Sequence, residues 1–444
     1  MKSSRLQLSV VFVLLLALPA GLPSSLGAEA AAAAPGAPSR EPPPPSSAAV
    51  VRLAYLALVK DSIVPAQPRV IATAALDTVA SIVPEQVPAL PAWFGANPER
   101  DAAWLMERVT NLQPAWPVID AMVRSADTAH VGFRSPERSQ GFAALGRGEP
   151  LSSPGFNLYP LADGRFVVFD LVNGASAHAS GLRAGDVLLR LDGKRAVVAD
   201  VFLLHALPAG TEVTLAIERA NRSETITLRL KQAEVSPVES RRLDDGTGYI
   251  FIRRFSRSTN PARDTAALVR RAIAEFAAQD ARAVIVDLRS TLGGVGEVAI
   301  ASACCDADVI YSIQKPLSAP AQPTKRQGER LWPDRPIVVL VNQHTVSAPE
   351  GLALALRELT HATIIGQTTR GGLTEFSGVP LAPGYTMTIP TGAVRGPLTG
   401  TTPHGYAIVP DLVVANPGID DLLRGRDGQL DAARAALPRI STVR

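Results

Sequence analysis

At 444 residues the chain has the length of two to three domains. Its formal net charge is +3, and many arginines sit beside acids ("RRLDDG", "LLRGRDG"), so no basic stripe marks a nucleic-acid partner. The two cysteines, Cys304 and Cys305, are adjacent. Neighbouring residues can form only a strained disulfide ring, so no disulfide framework is available and folding must rest on ordinary hydrophobic cores.

In chain order, Lys2 and Arg5 precede the apolar run Leu6–Leu18, which is too short for a stable membrane anchor and has the form of an export signal. A small-residue cleavage point falls near Gly27 or Ala28, giving a signal peptide over 1–28. An uncleaved anchor is the rival expectation and the one route to a membrane in this sequence. A periplasmic or secreted location follows. No cysteine near the cleavage point supports lipid attachment. Residues 29–48 are rich in Ala, Pro and Ser and read as an extended linker. From Val50 to Ser125, segments such as "VIATAALDTVASIV" and "ERDAAWLMERVTNL" place apolar residues three and four apart, the helical period. A helical domain is expected over 49–150.

Short strands and Gly-containing turns then alternate ("GRFVVFDLV", "GDVLLRLDG", "TEVTLAIER"), which gives a β-rich module over 151–235. Beyond it, strand and helix alternate: "GYIFIRRF", "TAALVRRAIAEFAA", "ARAVIVDLRSTLGG", "VGEVAIASACC", "PIVVLVNQHTVSAPEGLALALRE" and "ATIIGQTTRGG". This pattern predicts an α/β layer with a mostly parallel sheet over 236–444. Sites in such sheets lie at the carboxyl ends of strands. Gly293–Gly294, Ser347 and Gly371–Gly372 each follow a predicted strand, so they are expected to meet at one edge.

Ser347 has two readings. Ser-x-x-Glu before an apolar run is a capping box, with Glu350 returning the bond. The same serine, at a helix start with the Ala348 N–H behind it, also suits a nucleophile that generates an oxyanion. Gly294 can bring a second N–H close, since it has no Cβ.

The blocks "AVIVDLRSTLGG", "VLVNQHTVSAPE", "ATIIGQTTRGG" and "HGYAIVPDLVV", with "GASAHASGLRAGDVLLRLDGKRA" before them, resemble in order the carboxyl-terminal processing (tail-specific) serine proteases and their PDZ domain. The resemblance runs from about Ser125 to the C-terminus. It implies a crotonase/ClpP-like α/β protease core with a β-rich PDZ domain, joined here by the N-terminal helical domain. It also implies polypeptide substrates held by their C-termini and no cofactor or metal. By the same resemblance Ser347 is the nucleophile, and Ala348 and Gly294 are the oxyanion donors.

The family's usual general base, a lysine 25 residues after the serine, is replaced here by Gly372. The loop "GQTTRGG" instead resembles the branch of the tricorn core protease and the interphotoreceptor retinoid-binding protein repeats. That branch implies a Ser–His design with the histidine upstream, where "SADTAHVGFRSP" places His130. A neutral imidazole suits the role because its ordinary pKa lies near neutrality. Without the resemblance, the preferred reading of His130 is a hydrogen-bonded histidine at a domain boundary. Glu350 is a candidate orienting partner for it, or simply a helix cap. His404 stands where that branch has an acid, and His344, Gly371 and Gly372 are candidates to line the site. In the module, Gly155, Phe156 and Leu158 of "LSSPGFNL" would hold a peptide C-terminus. The rival function is a protease-like protein without activity that binds peptides or apolar ligands.

Overall fold

The computed structural model describes residues 46–83, 89–109, 112, 115–136, 138–141, 152, 154–161, 163–196, 204, 207–232 and 235–441. The leader, the linker as far as residue 45, Ser153 and His205 lie outside them. No helix of the described residues is long and apolar enough to cross a membrane.

Four helices open the described chain: α1 (Ser47–Leu56), which runs on into a π-turn at Ala57–Asp61, α2 (Pro68–Ile82), α3 (Pro98–Val109) and α4 (Trp116–Ser125). Pro68 and Pro117 stand in the first turns of their helices, where no N–H is needed. The helices do not close a core by themselves. Val51, Tyr55, Ile71, Leu105, Ile119 and Met122 pack with Leu381, Met387 and Ile389 from a distant hairpin. After α4 a loop carries His130, and β1 (Gly132–Arg134) then pairs with that same hairpin.

The β-rich module contains β2 (Phe156–Pro160), β3 (Phe166–Leu171), a short helix (Ser176–Ala179), β4 (Val187–Leu191), β5 (Lys194–Arg195), β6 (Glu212–Arg219) and β7 (Arg222–Arg229). The sheet order is β2-β3-β4-β6-β7, with β5 paired to β4, so β2 is an edge strand. β6 and β7 bury alternate residues, Val213, Leu215 and Ile217 against Ile226 and Leu228, the period expected of a sheet with one wet face.

The next layer is a six-stranded sheet of β8 (Val238–Arg242), β9 (Gly248–Ile252), β10 (Val284–Asp287), β13 (Ile337–Val341), β14 (Thr363–Gly366) and β17 (Leu412–Val413), ordered β17-β14-β13-β10-β9-β8. All pairs are parallel except β8–β9. Both faces are covered, which is why β9, β10 and β13 are buried throughout. Ile250, Val284, Val286, Ile337, Val339 and Val341 face the helices Thr265–Ala278, Glu297–Cys304 and Ala348–Thr360. Tyr249, Ile285, Val338 and Leu340 face the C-terminal helix Gly428–Ser441 through Ala433 and Leu437. Cys304 and Cys305 are both buried and unbridged.

A second sheet runs β1-β16-β11-β12, with β15 (Thr374–Ala382) paired to β16 (Tyr385–Arg395); β11 is Val309–Gln314 and β12 is Gln322–Lys325. The β15–β16 hairpin joins the N-terminal helices to the parallel sheet. Gly132 lies opposite Thr388 in β16, which holds the His130 loop beside the start of β15.

Candidate active site

In register, Asp287 lies opposite Leu340 and Val341 opposite Gly366. β10, β13 and β14 therefore end at one level, and the loops that follow them share one edge. A single parallel bridge, Leu292 to Val346, ties the first two loops together. Gly293 and Gly294 have φ of +59° and +125°. A Cβ on Gly293 would lie 3.0 Å from Ser347 Cβ and 3.4 Å from its Oγ, and one on Gly294 would strike the Phe255 carbonyl at 1.8 Å. Only glycine lets this turn lie against the serine while fitting under Phe255.

Ser347 has φ +75° and ψ −123°, a region costing an L-residue about 1–3 kcal/mol. It is the N-cap of the helix Ala348–Thr360, and with Glu350 it forms a capping box. In the box the Ser347 N–H donates to Glu350 Oε2 at 2.7 Å. The Glu350 N–H also donates to the Ser347 carbonyl, 2.8 Å. The Oγ stands beside the Ala348 N–H at the positive end of the helix.

Glu350 is fully buried. Besides Ser347 it accepts from the N–H groups of Gly371 (3.0 Å) and Gly372 (2.7 Å) and from the Thr369 hydroxyl. Burial pushes its carboxyl up to about 7, against the pull of these donors. It therefore rivets the loop after β14 to the serine turn. It does not orient His130. A Cβ at residue 372 would lie 2.7 Å from Glu350 Oε2 and 2.9 Å from the Ser347 nitrogen. The slot of the family's lysine is filled by the carboxylate and the serine backbone.

The partner of His130 is Thr374, with Nδ1 and Oγ1 2.7 Å apart. The imidazole also lies 5.1 Å from the Phe376 ring, centroid to centroid. Its Nε2 is buried without a hydrogen-bond partner, so no bond joins it to Ser347 in this structure. Burial lowers its pKa to about 4, which keeps the ring neutral at pH 7. The His130 loop is clamped to the loop after β14 by Arg370, whose guanidinium donates to Asp127 Oδ1 at 2.5 Å. Thr374 and this clamp were not legible in the sequence: "RGGLTEF" singles out neither, and both depend on β1 pairing with β16.

His344 is buried beside Phe166 of the module, 5.1 Å between ring centroids, and its Nδ1 has no partner. Burial pushes its pKa down to about 3. His404 is exposed in a short turn whose neighbour Gly405 places its carbonyl 2.8 Å from where a Gly371 Cβ would stand, so it sits at the lip of the same loop. In the module, Phe156 and Leu158 are buried core residues of β2. The carbonyl of Gly155 accepts from the Val172 N–H, 2.9 Å.

The module is joined to the site edge by buried polar contacts. Arg289, two residues past β10, bonds both oxygens of Asp287 and of Asp427, and donates to the Tyr159 hydroxyl (3.0 Å) and Gln429 Oε1 (3.1 Å). Tyr249 donates to the same Asp287 at 2.7 Å.

Residues 246–414 match Peptidase family S41. A carboxyl-terminal-processing protease of Synechocystis sp. is 29% identical over 341 residues, covering 73% of this chain and 77% of that protein. The carboxy-terminal processing protease CtpA of Bacillus subtilis is 30% identical over 215 residues, covering 47% of this chain and 45% of its own length. The corresponding protease of Bartonella bacilliformis is matched over 57% of its length, so the chain spans about half of several curated relatives. Among solved structures, the photosystem II D1 C-terminal processing protease aligns with a TM-score of 0.51 at 20% identity, covering 80% of this chain and 96% of that one. Mature CPAF complexed with lactacystin aligns at 0.50 and 13%, covering 84% and 98%. These likenesses show the fold.

Proposed function

We propose, from the chain's membership of the carboxyl-terminal processing protease family, that it is an exported serine endopeptidase of Ser–His rather than Ser–Lys type. The observation that carries this reading is the Ser347 hydroxyl at a helix start, in a strained turn packed against Gly293 and Gly294, with glycine where the family has its lysine.

With His130 Nδ1–H donating to Thr374, Nε2 is the basic nitrogen. It takes the proton of Ser347 as Oγ forms a bond to the peptide carbonyl carbon, and the Ala348 and Gly294 N–H groups bind the oxyanion. The imidazolium then gives the proton to the leaving amine as the C–N bond breaks. Water repeats the cycle on the acyl-enzyme. Thr374 fills the orienting role expected of Glu350. The transfer requires the His130 loop to come within hydrogen-bond reach of Ser347, an adjustment common between resting and substrate-bound sites. The β-rich module acts as a PDZ domain that receives substrate C-termini, read over 151–235, a reading supported by its separate core.

The test is cleavage of an unfolded polypeptide by wild type, Ser347→Ala and His130→Ala, with a serine-directed phosphonate as label. Loss of about a thousandfold or more in both variants is expected, with labelling only where Ser347 is present. Undiminished cleavage by Ser347→Ala removes the mechanism. The missing Ser347–His130 bond favours the second reading, an inactive peptide-binding protein. Unlabelled protein that binds C-terminal peptides without cutting them supports it.

A further inference from the structure

Between the β-rich module and the parallel sheet lies a small cleft of about 270 Å³, counting its open mouth. Gly155, Phe156 and Asn157 at the start of β2, Asp170 and Val172 at the end of β3, Val235 and Ser236 from the connecting segment, and Arg253 and Arg254 just past β9 line it. The two arginines differ in charge balance. Arg253 donates to both oxygens of Asp170 (2.6 and 2.9 Å) and to Glu239 (2.8 Å), so two carboxylates answer it. Asn157 Nδ2 donates to the same Asp170, 3.2 Å. Arg254 makes a single long bond, to the Val235 carbonyl at 3.4 Å, and no carboxylate of the described residues pairs with it. Its charged neighbours are Arg253 and Arg263, and burial with their repulsion lowers its pKa. A mostly desolvated guanidinium facing like charge is costly until an anion reaches it.

We propose that Arg254, a residue of the catalytic layer rather than of the module, is the charge partner for the terminal carboxylate of a bound peptide. The direction of β2 selects this ligand. β2 is an edge strand, and a peptide added antiparallel to it ends its carboxyl terminus where β2 begins, at Phe156, on the wall of this cleft. The next residue, Phe255, has its N–H bonded to the Gly293 carbonyl at 3.3 Å and its own carbonyl against Gly294. A terminus held by Arg254 therefore fastens the segment that abuts the oxyanion turn. Substrate C-terminus and catalytic edge then share one short stretch of chain, residues 254–255.

The inference rests on the peptide-binding part of the proposed function, and the experiment separates it from the catalytic part. Fluorescent decapeptides ending in Ala, Val, Leu or Phe, each as free acid and as amide, are titrated against the full chain carrying Ser347→Ala. At least one free acid is expected to bind about tenfold or more tighter than its amide, the worth of a charge-assisted bond. Arg254→Gln is expected to erase the difference and Arg254→Lys to restore part of it, with unchanged circular dichroism in both. Failure of every peptide to bind, equal binding of acid and amide, acid preference surviving in Arg254→Gln, or full displacement by 10 mM inorganic phosphate at constant ionic strength (~10 mM, small beside the Debye-screening salt) overturns the proposal. Should catalysis be absent instead, wild type cleaves nothing while the acid preference persists.

Discussion

Gly372→Ala is the smallest change that asks what occupies the space behind Ser347. Residue 372 does not have a left-handed φ, so alanine brings no backbone strain and even narrows the unfolded ensemble. The cost is contact alone. The new Cβ would lie 2.7 Å from Glu350 Oε2, 2.7 Å from Val346 Cγ2 and 2.9 Å from the Ser347 nitrogen. None of these yields easily. The carboxylate is tethered by the N–H groups of Ser347, Gly371 and Gly372 and by Thr369, Val346 is β-branched, and the third is backbone. Overpacking costs about 1–3 kcal/mol, and weakening a hydrogen bond to a buried charge adds about 1.5–3 kcal/mol, so a loss of about 2.5–6 kcal/mol is expected in urea unfolding. Because the displaced atoms carry the Ser347 turn, kcat/KM should fall about a hundredfold. Gly372→Lys, which installs the family's usual base, should be worse on both counts. A Gly372→Ala protein within about 0.5 kcal/mol of wild type, or a Gly372→Lys protein that gains activity, would refute the reasoning.

Two further outcomes follow from buried charge. His130 is lowered from its ordinary value to about 4, so between pH 6.5 and 4 the unfolded chain binds a proton that the folded chain refuses. The stabilisation is complete above about pH 6.5 and is lost as pH falls toward 4, up to ~3 kcal/mol. Glu350 runs the opposite way, since its raised carboxyl removes stability as pH rises from 4.5 to about 7. The comparison is therefore with His130→Asn, whose unfolding free energy should fall less on acidification; equal pH profiles would show that the imidazole is not buried neutral. Arg289→Met strands Asp287 and Asp427 without their cation and should cost about 3–5 kcal/mol. Chemical unfolding measures it, and a neutral result would mean that the network contributes nothing net.

The local pattern determined the layers. "PIVVLV" and "ARAVIVDL" are continuous apolar runs because strands covered on both faces have no wet side, and "TEVTLAIER" alternates because β6 has one. The capping-box pattern placed the helix start at Ser347 correctly, while only the fold decided that Glu350 also ties down the loop after β14. His130 could be nominated only through a resemblance, because its neighbours belong to a hairpin some 244 residues away in the chain. Thr374, the Arg370–Asp127 clamp and the unanswered charge of Arg254 had no sequence signal at all. Each is a relation between segments brought together by strand pairing and domain docking. Periodicity reports how a residue sits within its own element, whereas a site depends on which elements end at the same edge.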